Sequence, residues 1–159
     1  MIKDFKLSPH FLLSELLTTE HKEYMLLQEK GVQQYLNNLY ILCNYILEPI
    51  RCYYNVPITV TSGFRCKELN DAVGGNIKSD HCCFGGGAAA DFIVKGKTVD
   101  EVFNDIKDGK IDICYRQLIK EKVAGKFWIH IASFRLPYNA EDKYKQNLTT
   151  TDGKNYTQV

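Results

Sequence analysis

One carboxylate inside an apolar run constrains this chain more than any other feature. Asp91 interrupts residues 88–94, AAADFIV. A charge buried in such a run is costly unless it meets a metal, a cation or hydrogen-bond donors. From His81 the chain reaches Asp91 through two cysteines, Phe84, three glycines and three alanines. Small residues let backbone pass close to something, or let a strand enter a crowded place. Upstream, the same stretch carries Arg65 beside Gly63-Phe64, the pair Asn70-Asp71 and the turn Gly74-Gly75. Polar groups converging across small residues are the sequence mark of a site; the plainer alternative is a long glycine-rich surface loop.

The rest of the chain supplies a frame for that stretch. Its 159 residues suit one domain with a real core. A net charge of +1 gives no field for nucleic acid or an anionic membrane. Ten tyrosines suit either a polysaccharide or peptide groove or ordinary rim packing. The six cysteines are irregularly spaced, without CxxC, and read as reduced, small core residues. The start, MIKDFKLSPHF, has no apolar signal region, and no run approaches the ~18 apolar residues of a membrane span. The expectation is a product that is cytoplasmic as synthesised, with monomer as the default state.

Periodicity places the elements. Ser8-Pro9 reads as an N-cap with proline at the first helical position. Apolar residues from Val32 to Leu47 recur at helical spacing, predicting a helix over 32–54 that either kinks near Pro49 or restarts through Ile50 and Tyr53-Tyr54. Strands are predicted at 57–62, 88–94, 111–120 and 127–134, with helices at 67–73 and 98–109. A hairpin loop falls at 122–126, and 137–159 reads as a polar loop and fraying tail after a single domain over 1–136. The expected fold is α+β: a small, mainly antiparallel sheet of about four strands with helices packed on one side.

His81, Asp91 and His130 form the candidate chemical set. Two histidines and a carboxylate with a fourth position open are a donor set for catalytic zinc. Alternation puts Trp128, His130 and Ala132 on one face of their strand, opposite Phe127, Ile129 and Ile131. The alternative is that Asp91 caps a turn and His130 is a hydrogen-bonded core histidine.

The ordered motifs resemble a known family. They are Ser62-Gly63-Phe64-Arg65, Leu69-Asn70, Ala72-Val73-Gly74-Gly75, Ser79 with His81, Asp91-Phe92, and Trp128-Ile129-His130-Ile131. With LSPHFLLSELL and ILEPIR, they look like the M15 zinc peptidases, in the D-Ala-D-Ala carboxypeptidase-like branch of murein peptidases and phage endolysins. The resemblance implies that His81, Asp91 and His130 hold Zn²⁺ and that Arg65 binds the substrate carboxylate or steadies the oxyanion. It implies a peptidoglycan stem peptide as substrate, with Ser79, Asn70 and Trp128 also among the substrate-binding residues. The place of action would be the cell wall, reached after phage-mediated lysis or as part of a virion.

Two features depart from the family pattern. The interval from His81 to Asp91 is longer than usual, as if one cysteine, one glycine and one alanine were doubled. An odd insertion within a strand flips side-chain faces, so a bulge is expected to absorb it. Next, the positions before His130 are Phe127 and Trp128, which cannot take a proton. The nearest acid is Glu121, in QLIKE. It reads either as the general base or as a solvated loop acid. The leading expectation is a zinc-dependent carboxypeptidase or endopeptidase of cell-wall peptides. The rivals are a wall-binding or metal-binding module on the same fold and an amidase-type hydrolase of another small peptide.

Overall fold

The computed structural model describes residues 3–137 and 145–159. Four short helices come first: α1 (Leu13–Leu16), α2 (Met25–Val32), α3 (Leu36–Leu42) and α4 (Glu48–Tyr54). The helix expected over 32–54 is therefore not continuous. A π turn over Cys43–Leu47 separates α3 from α4, and Pro49 sits in the first turn of α4. Proline has no N–H to give, so a new helix start suits it and the wider turn absorbs the break.

The lead-in departs from expectation as well. Ser8-Pro9 does not start a helix. Instead Ser8 Oγ donates to Glu48 Oε1 at 2.7 Å, and the His10 N–H donates to the same oxygen at 2.7 Å. His10 Nδ1 lies 2.8 Å from Glu48 Oε2. Glu48 is thus the buried anchor on which the N-terminal arm docks.

The remaining elements are β1 (Ile58–Ser62), α5 (Lys67–Ala72), β2 (Ala89–Val94), α6 (Val99–Lys107), β3 (Gln117–Val123), β4 (Lys126–Ala132), β5 (Gln146–Thr150) and β6 (Thr157–Gln158). The strands form one sheet in the order β1-β2-β4-β3-β5-β6, antiparallel throughout except for the parallel pair β3 and β5. The fold is α+β, as expected, with two more strands than the sequence suggested. The sequence reading of 137–159 as loop and tail is corrected for 146–150, which pair along β3. The part of that reading covering 138–144 lies outside the described residues. QNLTT looks polar along the chain, but Leu148 meets Ile119 and Thr150 meets Glu121 only once the sheet has assembled.

Alternation divides the sheet into two faces. Val60, Phe92, Ile129, Ile131 and Leu118 are buried in one core with Leu39, Leu42, Ile46, Ile50 and Phe103 from the helices. The opposite face carries a row that crosses the sheet: Ser62, Asp91, His130, Ile119, Leu148, Gln158. The helices cover one face, and the row that holds Asp91 and His130 is left for chemistry. No helix among the described residues is long and apolar enough to cross a membrane.

Candidate metal centre

Two of the three expected ligands are fixed by strand pairing. Asp91 in β2 stands directly opposite His130 in β4, which puts both side chains on the same face. His130 Nδ1 lies 2.8 Å from Asp91 Oδ1. The third ligand arrives from a 3-10 turn over Asp80–Cys82. His81 Nε2 lies 3.2 Å from His130 Nδ1 and 3.3 Å from Asp91 Oδ1. These three atoms form a small triangle. Zinc bonds of roughly 2.0–2.1 Å in a tetrahedral site place donor atoms about 3.3 Å apart. The triangle has the size of one face of such a tetrahedron, so the donor set fits the ion in chemistry and in spacing.

The surroundings tune the donors. His81 Nδ1 lies 2.6 Å from the Gly63 carbonyl oxygen and donates to it, which leaves Nε2 as the lone-pair donor. Complete burial pushes His81 below the ordinary imidazole range, against the pull of the Asp91 carboxylate. A neutral imidazole is the form that binds a metal. Burial by itself would raise the Asp91 pKa, but the His81 and His130 imidazoles overcome it and hold the carboxyl well below its usual range. Arg65 adds to this: its Nη2 donates to Asp91 Oδ2 at 3.2 Å and its Nε to Ser62 Oγ at 3.1 Å. The Arg65 N–H also donates to the His81 carbonyl at 2.9 Å. Arg65 therefore braces two of the three ligands.

Gly63 makes room for this arrangement. A Cβ there would run into the Leu16 backbone, which closes over β1's end through the Phe64 N–H to Leu16 O bond of 2.7 Å.

The long interval between His81 and Asp91 is absorbed before the strand begins, not by a bulge within it. After the 3-10 turn the chain reverses through Cys83 at φ 59° and Gly86 at φ 84°. The Gly86 N–H donates to Cys83 O at 3.0 Å. Phe84 points outward, half-exposed, against the Tyr35 ring 6.1 Å away. Asn38 Nδ2 donates to Gly86 O at 2.7 Å. By Ala88 the backbone is bonded to Ser133, and β2 pairs with β4 from Ala89–Ala132 through Phe92–Ile129 without a break. The sheet's irregularity lies instead in β1, between Val60 and Ser62.

Glu121 is not in a loop. It lies within β3, opposite Trp128, on the same face as His130 and Asp91. Only 9% of it is exposed. Burial, and then the charge of Asp91, raise its pKa above the ordinary carboxylate value. The Trp128 indole N–H is turned toward the same carboxylate without meeting hydrogen-bond geometry, and it has no other partner.

The remaining expected residues divide. Ser79 caps the 3-10 turn that carries His81 and is half-buried. Asn70 is buried, and its Nδ2 donates to Asn76 O at 3.0 Å. It braces the turn after α5, and none of its hydrogen bonds joins the metal ligands. Sequence reasoning missed Asp80. This carboxylate, with 3% side-chain exposure, bonds Arg116 Nη2 and, at 2.9 Å, Arg135 Nε. The cluster ties His81's turn to one end of the β3–β4 pair, where β3 begins and β4 finishes. Asp80's place between Ser79 and His81 was visible; its two distant partners had no signal.

The described residues thus contain one His-Asp-His group able to hold a metal ion, with a protonatable carboxylate beside it. No curated protein and no solved structure matches this chain. The Peptidase M15 family does match, over residues 9–131, a stretch that includes all three ligands and Glu121, and the chain belongs to that family.

Proposed function

We propose that this protein is a zinc peptidase that cleaves peptidoglycan stem peptides at a bond involving D-amino acids. The observation that carries the reading is the triangle of His81 Nε2, Asp91 Oδ1 and His130 Nδ1, with edges of 2.8–3.3 Å, and buried Glu121 on the same sheet face. Held by these three residues, zinc supplies a Lewis acid that acidifies a water and polarises the scissile carbonyl. In this reading Glu121 takes a proton from the attacking water and returns it to the leaving amine. Its raised pKa suits both transfers. The buried Trp128 N–H, turned toward Glu121, helps to hold that carboxylate in place. Arg65 keeps Asp91 ionised and oriented, and its cationic fork meets the carboxylate of the peptide or the developing oxyanion.

The test is zinc content together with product analysis. The expected result is one zinc per chain and hydrolysis of a stem pentapeptide. Free D-Ala marks a carboxypeptidase; new amino groups in intact walls without free D-Ala mark an endopeptidase. Bound zinc with neither product would replace this reading with a wall-binding or metal-binding module.

A further inference from the structure

The segment beyond the family match builds part of the cleft. The match ends at residue 131, whereas β5 and β6 lie at 146–150 and 157–158. Register carries that row outward from the metal ligands: His130 pairs with Ile119, Ile119 with Leu148, and Leu148 with Gln158. Thr150 stands beside Glu121 in the same way. Tyr156, two residues before Gln158, falls by alternation on the face that holds the metal group.

The connection between β5 and β6 is a built turn. Thr150 Oγ1 accepts the Gly153 N–H at 3.0 Å, and Thr150 itself is buried. Asp152 Oδ1 accepts the N–H groups of Lys154 and Asn155, each at 2.8 Å, and Asn155 Nδ2 donates to Asp152 Oδ2 at 2.7 Å. Gly153 lies over Val123, which shares Glu121's face of β3. Tyr156 Oη donates to Gly153 O at 3.1 Å, and 47% of the residue stays exposed. The ring is thus held by its own turn, with one side open to solvent on the sheet face that carries Glu121.

We propose that the β5–β6 hairpin is the wall of the substrate cleft on the Glu121 side, and that the Tyr156 hydroxyl hydrogen-bonds the backbone of the bound peptide. This rests on the peptidase reading above. Burial, then the charges of Glu121 and Asp91, push the phenol's pKa up, so the hydroxyl stays protonated and able to donate. A substrate carbonyl can take over the bond now made to Gly153 O at little net cost, because one neutral hydrogen bond replaces another. The phenol ring adds an apolar surface with a polar tip, a combination suited to the rim of a peptide groove.

The experiment uses the full zinc-loaded chain and a synthetic stem pentapeptide. Tyr156→Phe is expected to raise KM about fivefold, the effect of one neutral hydrogen bond, with zinc content unchanged. Tyr156→Ala raises it further. Asp152→Ala opens the turn that holds the ring; it is expected to lower Tm more than Tyr156→Phe does and to raise KM by no more than Tyr156→Ala does. Wild-type KM in both Tyr156 variants overturns the inference. A KM rise in Asp152→Ala above that of Tyr156→Ala also overturns it, since the turn and not the phenol would then carry the effect. If the wild-type chain hydrolyses no stem peptide, the peptidase reading falls and takes this one with it; hydrolysis with unaltered Tyr156 variants removes this one alone.

Discussion

Asp91 and His130 reach the metal centre by one route, and His81 by another. The first two are neighbours in a β-ladder, so backbone hydrogen bonds and side-chain alternation place them. His81 sits on a single 3-10 turn between two irregular segments. Its position depends on the Gly63 carbonyl, the Arg65 N–H and the buried cluster of Asp80 with Arg116 and Arg135. The ladder is a repetitive backbone device, although its strands are far apart in sequence. The turn is held by side chains from distant parts of the chain. A ligand set can therefore combine a rigid pair with a third member whose accuracy is set by a separate ionic support.

Removing a ladder ligand should have the largest effect. Asp91→Ala takes away a donor and leaves Arg65 without its partner. Zinc stoichiometry should fall toward zero, with hydrolysis of a stem peptide reduced at least ~10³-fold, since the Lewis acid is lost with the ion. Zinc analysis after gel filtration, with a chelator-treated wild type beside it, checks this. Retained zinc at one per chain would show that the ladder carboxylate is not a ligand.

Glu121→Gln separates holding the metal from using it. The amide keeps the shape and cannot accept the proton. Zinc should stay at the wild-type level while kcat drops roughly 10²–10⁴-fold, the range for a lost general base. Wild-type turnover would return Glu121 to a structural role in β3.

How much of this was legible follows the same division. The α+β class, the strands around Asp91 and His130, and the helix at 98–109 could be read because period-2 and period-3.6 patterns are written along the chain. Thr98 and Glu101, for example, close a capping box at the start of α6. Asp91 betrayed itself as a charge in an apolar run. Glu121 could be named but not placed, because burial of β3 depends on β5, a strand that looks like tail until it finds its partner. Asp80 stayed hidden for the same reason: Arg116 and Arg135 lie far away in sequence, and ion pairing leaves no periodic mark. The excess in the His81–Asp91 interval suggested a bulge; the extra residues instead form an outward turn that ends before the ladder starts.

Asp80→Asn tests the ionic support. Breaking one side of a buried ion pair costs about 3–5 kcal/mol. Urea unfolding of the metal-free protein should register that loss. Because the cluster orients the turn that carries His81, zinc affinity should fall about 10–100-fold, the usual effect of removing outer support from a metal ligand. The ladder remains, so excess zinc should restore hydrolysis. A loss of stability with wild-type zinc affinity would mean that the cluster serves the fold and not the ligand.

The smallest effect is expected where the long interval is tied to the helices. Asn38 Nδ2 donates to Gly86 O at 2.7 Å, and more weakly to Gly87 O at 3.5 Å, which anchors the outward turn to α3. Asn38→Ala removes one partly buried neutral hydrogen bond, so unfolding free energy should fall by about 1 kcal/mol. The turn lies between His81 and the ladder, but each end is fixed independently, by the Asp80 cluster on one side and by the Ala88–Ser133 bonds on the other. Zinc affinity should then change by less than about threefold, a difference of under 1 kcal/mol. A competitive chelator titration measures it. A tenfold loss would show that the extra residues transmit position from α3 to His81, and the interval would have to be regarded as part of the ligand support instead of a tolerated insertion.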